Sequence, residues 1–532
     1  MTFIHDIRLA LRGILKRPQF AIVVILTLAL GIGANTAIFT VVDAVLLRPL
    51  AYRDAERLVM VNGKNPGGDD VVPSPAEFLD LQSQARSLEG LAAFRRWNFN
   101  LRAGDRTEQI QGAVVTSDFF KLLGVAPELG RPLLPDSGGR LPAGEVVVSD
   151  RFWRTRLGGT PAVLGQVLNV DGSPATVVGV MPPSFALPTS GDLWLPSPYK
   201  VPTYPLKPEI DPSQRRNSHY FEVVARVAAG TTRAQAEVEI GRILREMTEK
   251  FPDESESVRA SLVPIRADLA GDSGPALLIL LGAAAVLLLI ACANLANLFL
   301  ADATARQREW TVRAALGAGR FRLARERLTE SVLLSLLGGL VGLLVAVWGV
   351  TLLQALAPQE IRGMIDPSPD VRVLGFTAAV AILTGIGFGV GPALRSAKSD
   401  LAGGLHEGGR NAADSAGRRR VRNLLVVSEV ALAFVLAIGA GLLAKAFVRV
   451  QQVPVGLDPQ GVVTVGLVLP ANQYGPPARK IEFVDRALES LTALPAVSSA
   501  SVVSRLPLRP GGSTRSLEVE GRAEDEEFIT PD

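Results

Sequence analysis

Cysteine, histidine and net charge are scarce in this 532-residue chain, and each scarcity excludes a class of function. The one cysteine, Cys292, lies within an apolar run, so the sequence offers neither a disulfide framework nor a thiolate metal site. The three histidines, His5, His219 and His406, are far apart and show no metal-ligand spacing. The net charge of +3 is too small to indicate a surface that binds nucleic acid, so no nucleic acid partner is expected.

A phosphate-binding loop is also missing. The sequence contains no Gly-x-x-x-x-Gly-Lys-Ser/Thr motif to cradle nucleotide phosphates. Gly31 and Gly33 have the spacing that opens a dinucleotide loop, but they lie inside an apolar run and the third glycine is absent. We therefore expect no enzyme activity, no metal and no cofactor in this chain.

Long apolar runs dominate what is present. Four uncharged runs, and a fifth interrupted only by Glu429, are each long enough at about 1.5 Å per residue to cross a hydrocarbon core of about 30 Å. These runs are Phe20–Val42, Pro275–Ala301, Ser331–Ala357, Val373–Leu394 and Leu424–Ala444. The first run could instead be a cleaved signal peptide, but it exceeds the roughly 7–15 residues of a signal h-region and follows a basic amphipathic segment. The pattern predicts an α-helical polytopic membrane protein.

The charges between these runs predict the topology. Seven arginines lie between the second and third runs, from Arg306 to Arg327, and the connection between the fourth and fifth runs is also basic. The connection from Pro358 to Arg372 instead holds three carboxylates against two arginines. By the positive-inside rule, the N-terminus and both basic connections face the cytoplasm, whereas residues 46–272 and 448–532 lie on the other side.

Residues 46–272 have the composition of a folded soluble domain. Short β-rich segments alternate with helical patterns, which predicts an α+β extracytoplasmic domain large enough to bury its own core. The predicted strands are Arg57–Asn62, Gln109–Thr116, Glu145–Ser149 and Tyr220–Val227, and the predicted helices are Pro75–Ala85, Ser117–Leu123 and Thr232–Phe251. Gln166–Val180 predicts a hairpin around Asp171-Gly172, and the proline-rich stretch Leu187–Asp211 predicts an irregular loop.

The order of elements begins again after a basic, glycine-rich linker at residues 396–423. A span at residues 424–447, a β-like segment (Gly461–Val468), an amphipathic helix (Ala478–Leu494) and a second β-like segment (Ser498–Val503) repeat the order found at residues 8–97. This predicts an internal duplication in which residues 448–532 are the start of a second, truncated extracytoplasmic domain. Alternatively, residues 448–532 form a complete small domain.

Small and polar residues recur within the apolar runs. Three glycine pairs have a four-residue spacing that lets helices approach closely in lipid, and we interpret them as packing contacts rather than as a substrate-lining surface. The pairs are Gly338 with Gly342, Gly385 with Gly389, and Gly387 with Gly391. Asn294 and Asn297 are predicted to form hydrogen bonds between helices.

One basic segment lies between the second and third apolar runs, from Ala305 to Arg320. It reads Ala-Arg-Gln-Arg-Glu-Trp-Thr-Val-Arg-Ala-Ala-Leu-Gly-Ala-Gly-Arg. Arg306, Glu309 and Arg313 share one face of a predicted helix, which the glycines after Leu316 end. The segment is either a positive-inside anchor or a docking helix for a cytoplasmic partner.

This segment resembles the Arg-Glu-x-x-x-Arg-x-Ala-Leu-Gly-Ala signature of the MacB/FtsX class of ABC transporter permeases. The stretch from Ala29 to Leu50, the sequence Thr116-Ser-Asp-Phe-Phe-Lys-Leu-Leu-Gly-Val and the sequence Ser428-Glu-Val-Ala-Leu-Ala resemble its duplicated branch, ADOP (acidobacterial duplicated orphan permease). Two features depart from the family pattern. Trp310 stands where a smaller aliphatic residue is usual, and the second repeat lacks three closing spans.

The resemblance implies a permease subunit of the bacterial inner membrane that couples ATP hydrolysis on a separate ABC ATPase to movement of its extracytoplasmic domain. Efflux, export or lipoprotein-type substrate handling would be its function. The further implied partners are the lipid bilayer, a second permease copy or a pseudo-dimer through the repeat, and a periplasmic adaptor. The alternatives are an FtsX-like regulator of a cell-wall hydrolase and an incomplete fragment.

The resemblance also implies a domain order. It comprises residues 1–45 (N-terminal helix and first span), 46–272 (MacB-like core domain), 273–395 (FtsX-like permease domain), 396–423 (linker), 424–447 (fifth span) and 448–532. The ATPase-coupling helix would be residues 303–320. Its assigned residues are Arg306, Arg308, Glu309, Trp310, Arg313, Leu316, Gly317 and Ala318.

Glu309→Arg tests whether this segment docks on an ATPase or only anchors the chain. The exposed Glu309–Arg313 pair contributes only about 0.3–0.5 kcal/mol to the helix, so reversing the charge changes partner choice more than folding. We expect the variant to insert into the membrane as the wild type does but to lose co-purification with its ATPase. Wild-type association would leave the segment as an anchor.

Overall fold

The computed structural model divides the chain into two compact units. One contains residues 1–51 and 264–453, and the other contains residues 52–263 and 454–532. The structure describes residues 3–68, 70–103, 106–135, 144–185, 187–188, 191–204, 210–252, 259–271, 273–305, 320–356, 370–398, 411–453, 461–469 and 474–503.

The first unit is helical. Its helices, numbered along the whole chain, are α1 (Phe3–Leu15), α2 (Pro18–Val42, continued by a π-helical turn Asp43–Leu47), α7 (Ile265–Ala270), α8 (Ser273–Ala305), α9 (Arg320–Leu356), α10 (Val371–Lys398) and α11 (Asn411–Gln451). The longest five, α2 and α8 to α11, are long and apolar enough to cross a membrane, which confirms the predicted spans as helices. Pro18 is the first residue of α2, a position whose backbone N–H would have no acceptor within the helix, so proline costs no hydrogen bond there.

The helix α2 lies at the centre of this unit and packs on α8, α9 and α10. Leu28 and Ile32 are fully buried, in one cluster with Leu295 of α8, Leu334 of α9 and Phe388 of α10. In contrast, α11 contacts α8 and keeps its span exposed. Four helices therefore share one core, and the fifth lies against its outside.

The second unit is an α+β domain. Its strands are β1 (Leu58–Lys64), β2 (Asp70–Val71), β3 (Leu88–Ala103), β4 (Arg106–Val115), β5 (Leu129–Gly130), β6 (Glu145–Ser149), β7 (Val167–Val170), β8 (Ser173–Met181), β9 (Leu193–Pro196), β10 (Glu222–Val227) and β11 (Arg259–Pro264). Its helices are α3 (Pro75–Gln84), α4 (Phe119–Leu123), α5 (Asp150–Arg156), α6 (Arg233–Lys250) and α12 (Pro477–Thr492), with 3₁₀ turns at Ala55–Arg57 and Pro161–Val163. Capping boxes at Ser74/Glu77 and Thr232/Gln235 begin α3 and α6.

The strands form one mixed sheet in the order β11-β1-β10-β3-β4-β9-β6-β8-β5, with β2 on β1 and β7 on β3 and β8. The long β3 pairs antiparallel with β4 from Phe94↔Val115 to Ala103↔Arg106. Between β7 and β8, Asp171 and Gly172 both have positive φ, which is the geometry that the predicted hairpin turn requires.

Two hydrophobic cores lie along this sheet. In the first, α3 and α6 cover β1, β10, β11 and the start of β3; Leu91 and Ala93 belong to it. In the second, α5 packs with β4, β6, β7 and β8, and Phe99 from the far half of β3 belongs to it. The strand β3 is therefore shared by both cores, and the residues between Ala93 and Phe99 lie at their boundary.

Two groups of predicted elements differ from the structure. The stretch Leu187–Asp211 was predicted as a loop, but it contains β9, which pairs parallel with β4. The β-like segments Gly461–Val468 and Ser498–Val503 form no strand in their described residues, although α12 forms where a helix was predicted. In the first copy, β10 lies between β1 and β3 in the sheet and pairs with both, although it comes more than a hundred residues later in the chain. The described part of the second copy contains no strand that corresponds to β10.

Two of the three predicted glycine pairs, Gly338 with Gly342 and Gly385 with Gly389, are packing contacts. A Cβ on Gly342 of α9 would lie 3.0 Å from the carbonyl oxygen of Ala29, and one on Gly385 of α10 would lie 2.8 Å from Cα of Val332. A Cβ on Gly387 would meet nothing within 4 Å, so this glycine is not part of a described packing contact. These approaches explain why α9 packs so extensively against both α2 and α10.

Polar bonds between helices are made by residues other than the predicted ones, including Ser331 of α9, which donates to the carbonyl oxygen of Gly385 in α10 at 2.9 Å. Asn35 of α2, which is buried, donates from Nδ2 to the carbonyl oxygen of Ala284 in α8 at 2.7 Å. The predicted donors behave differently, because Asn294 is exposed and the buried Oδ1 of Asn297 has no hydrogen-bond partner among the described residues.

Gly385→Leu and Gly387→Leu form a matched pair of substitutions within one turn of α10. The first inserts a side chain against the backbone of α9 and should cost about 1–3 kcal/mol or more, since overpacked cores cannot relax fully. The second projects into open space and should leave stability unchanged. Thermal midpoints of the two variants in detergent measure the difference, and equal midpoints would contradict the packing.

Candidate functional site at the ends of the membrane bundle

The eight residues assigned to the coupling helix lie outside the described residues, so their assignment stays a prediction. They are Arg306, Arg308, Glu309, Trp310, Arg313, Leu316, Gly317 and Ala318. The structure describes the two helices from which this segment departs and to which it returns. These are α8, which ends at Ala305, and α9, which begins at Arg320.

Charge and aromatic contacts fix the bundle at this end. Arg17, just before α2, pairs with Asp302 in the last turn of α8, and the Asp302 side chain is only 9% exposed. One turn further in, the ring of Phe299 lies 5.4 Å from that of Phe20 and 5.1 Å from that of Phe388, measured between centroids. The base of α8, which carries the predicted coupling segment, is thereby held to α2 and α10.

The helix α1 packs beside the same end. Ala10 is buried, and α1 contacts α9. A Cβ on Gly13 would lie 3.5 Å from Oε1 of Glu330, a buried residue of α9, so glycine lets this carboxyl group lie against the helix backbone. The amphipathic N-terminal helix is therefore part of the base of the bundle.

A second charged cluster lies at the opposite end of α2. Asp43, whose side chain is 3% exposed, lies 3.6 Å from Nε of Arg48 and 3.4 Å from Nη1 of Arg372. Arg48 also pairs with Asp370 at 2.6 Å. We refer to these four residues together with Arg266 as the collar.

Arg266 ties the two segments that lead to the α+β domain. The chain leaves this unit after residue 51 and returns at residue 264. Nη1 of Arg266, in α7, donates to the carbonyl oxygens of Leu46 at 2.9 Å and Arg48 at 2.8 Å. These carbonyls lie at the end of the π-helical turn. The backbone N–H of Arg48 closes that turn by donating to the backbone carbonyl oxygen of Asp43.

Asp370 joins the collar to α10. Its Oδ1 accepts the backbone N–H of Val373 at 2.9 Å, so the same carboxylate caps α10 and pairs with Arg48. The departing segment, the returning segment and α10 are thus connected by charged or charge-assisted contacts. Among the described residues no group of three or more His, Cys, Asp and Glu could hold a metal ion.

Asp370 and Arg372 enter the sequence-based prediction only as charges of a connection between spans, and Asp43 is not among the predicted site residues. The signal that could have found the collar is an aspartate at the end of an apolar run followed within five residues by an arginine, as in Asp43 to Arg48. A charged side chain near the end of a membrane span is expected to pair with an opposite charge.

Comparison with known protein families gives two matches along the chain. Residues 21–243 match the MacB-like periplasmic core domain, and residues 281–401 match the FtsX-like permease C-terminal domain. The first match covers α2 and most of the α+β domain, and the second covers α8 to α10 with the coupling segment between them.

Individual relatives carry export functions in their names. The macrolide export ATP-binding/permease protein MacB of Neisseria gonorrhoeae is 24% identical over 411 residues, which are 74% of this chain and 60% of that protein. The pyoverdine export ATP-binding/permease protein PvdT of Pseudomonas syringae is 29% identical over 243 residues, 46% of this chain and 34% of that protein. The chain thus spans less than two thirds of the length of the relatives it matches.

Among solved structures, the periplasmic region of MacB from Actinobacillus actinomycetemcomitans aligns with a TM-score of 0.27 and 11% identity, covering 40% of this chain and 89% of that one. None of these similarities tests the resemblance to a duplicated branch, which stays a prediction.

Asp43→Asn tests the collar. The substitution removes the carboxylate that lies between Arg48 and Arg372 while keeping side-chain size. Because both arginines are partly exposed and can rehydrate, we expect a loss of about 1–3 kcal/mol rather than the larger cost of a fully buried pair. A thermal midpoint several degrees below wild type would show this loss. Asp485→Asn, at an exposed site on α12, should change nothing.

Proposed function

Because the chain belongs to the MacB/FtsX-type ABC transporter permeases, we propose that it is the membrane-spanning subunit of an exporter whose ATPase is a separate chain. Its α+β domain faces the extracytoplasmic side, and the coupling helix predicted at residues 303–320 contacts the ATPase. ATP hydrolysis within the ATPase acts through that contact on α8 and α9, and the bundle passes the movement to the α+β domain. The collar is the observation that carries this proposal.

The collar supports transmission because it joins both segments that lead to the α+β domain. Arg266 binds the carbonyls of the departing segment, and Arg48 pairs with Asp370 on α10. A displacement of α2 or α10 therefore acts on both segments at once. Such coupling requires the ATPase to bind one bundle conformation better than another.

The remaining partners follow from the same family membership. We propose the inner membrane as location, a second permease copy or a pseudo-dimer through the repeat as assembly, and a periplasmic adaptor as the partner of the α+β domain. No observation favours regulation of a cell-wall hydrolase over export.

Arg48→Met distinguishes transmission from association. The variant loses the pairs to Asp43 and Asp370, both far along the chain from residues 306–319, so we expect normal co-purification with the ATPase. The measurement is the distance between spin labels at Val238→Cys and Val371→Cys in a Cys292→Ser background in nanodiscs, with and without ATP. Wild type should show an ATP-dependent distance change that Arg48→Met reduces several-fold.

Glu309→Arg is the matched control, because it should lose the ATPase and the distance change together. An absence of complex formation and of any ATP-dependent change in the wild type would reject the transporter function. A wild-type response in Arg48→Met would leave the function standing but remove the collar from it.

A further inference from the structure

Two arginines of the α+β domain are buried in the described part of the chain, and they are satisfied very differently. Arg226, fully buried, donates to three backbone carbonyls, those of Arg53, Asp54 and Leu122, and its Nε lacks a partner among the described residues. Arg95, 7% exposed, has a single described acceptor, the hydroxyl of Thr203 at 3.3 Å from Nη2. Its Nε and Nη1 are buried without a hydrogen-bond partner among the described residues.

An unpaired guanidinium is costly at this depth. Burial lowers the pKa of Arg95 to about 10, so the group is still charged at neutral pH. The carboxylate whose charge acts on it is Asp171, which makes no hydrogen bond to Arg95 among those described and instead accepts the backbone N–H of Asn100 at 2.8 Å. Buried charges in folded proteins are normally paired, and a lone one requires an explanation such as a bound ion.

Aromatic side chains surround the Arg95 guanidinium. Its central carbon lies 4.2 Å from the ring centroid of Trp97, and Tyr220 is close enough to interact with its charge. Tyr220 donates its hydroxyl to the carbonyl of Pro202 and packs at 5.2 Å against Tyr204. Trp97, Thr203, Tyr204 and Tyr220 are each partly exposed, so Arg95 lies directly beneath an aromatic patch of the surface.

The position of Arg95 on the sheet explains why the group is not simply part of a core. Ala93 and Arg95 are two residues apart on β3 and so point to the same face, as do Trp97 and Phe99. Ala93 belongs to the first core and Phe99 to the second, with Trp97 packed against the latter and Tyr220 against the former. The guanidinium thus occupies the boundary between the two cores.

We propose that Arg95 is the anchor of a ligand site in the α+β domain that takes a carboxylate attached to an apolar or aromatic body. A guanidinium offers planar, directional donors that match a carboxylate, and a charge-assisted bond in this setting is stronger than a neutral one. Trp97, Tyr204 and Tyr220 supply aromatic surface for the body of the ligand, beside the guanidinium of Arg215, whose central carbon lies 4.7 Å from the ring centroid of Tyr204. The site does not depend on how the bundle couples to an ATPase.

The probe is benzoate, a carboxylate on one aromatic ring, added to the full chain in detergent at constant ionic strength. Calorimetric titration should show saturable binding, and the thermal midpoint should rise with benzoate concentration. Benzyl alcohol, which lacks the charge, should produce neither effect, and acetate, which lacks the ring, should bind at least several-fold more weakly. Absence of saturable benzoate binding to the wild type would overturn the site and leave Arg95 as an internally hydrated structural residue.

Arg95→Met and Arg96→Met are neighbouring variants that separate the site from general charge effects. Arg96 points to the opposite face and pairs with Glu222 at 2.7 Å, so its loss should leave benzoate binding unchanged. Arg95→Met removes a buried unpaired charge, so the chain should fold, and affinity should fall at least tenfold. Equal binding by Arg95→Met would refute the proposal. Tyr204→Leu, which keeps the arginine, should weaken benzoate several-fold and provides the test if Arg95→Met fails to fold.

Discussion

The close approach of α2 and α9 is the contact on which the membrane unit depends. In lipid there is no hydrophobic force between apolar helices, so association relies on packing and on a few polar bonds. Gly33 and Gly342 provide that packing, since a Cβ on Gly33 would lie 2.8 Å from the Gly342 carbonyl oxygen. With no side chains between them, the two backbones approach closely enough for Leu28 and Leu334 to share one core with α8 and α10.

This packing gives the charged ends of α2 their significance. Arg17 joins one end to α8, and Asp43 joins the other to Arg48 and Arg372. A helix packed tightly along its length and paired at both ends cannot slide alone past its neighbours without breaking a partly buried ion pair. Interfaces of this kind move between discrete arrangements rather than deforming continuously. The proposed transmission of movement along the bundle rests on this arrangement.

Features that depend on neighbouring residues could be predicted from the sequence, whereas features that depend on contacts between distant residues could not. The spans and the turn at Asp171-Gly172 were predictable because hydrophobic length and positive φ are properties of local sequence. The strand β9 was not, since Leu193–Pro196 lies in a proline-rich stretch and is a strand only because β4 pairs with it. The collar likewise joins Asp43 to Arg372, more than three hundred residues apart, and no local pattern reports such a pair. The coupling residues around Glu309 are assigned only from the resemblance to a family.

Arg95 illustrates a different limit, because its environment is assembled from three separate parts of the chain. Trp97 is local, whereas Thr203 and Tyr220 come from the stretch that precedes β10. These side chains lie at the boundary between two cores of one sheet, and both cores include residues of β3. A ligand held between Trp97, packed on the second core, and Tyr220, packed on the first, would contact both cores at once. Its occupancy would change the conformation of the α+β domain only if its affinity differs between two conformations, because a ligand shifts an equilibrium by its differential affinity and by nothing else.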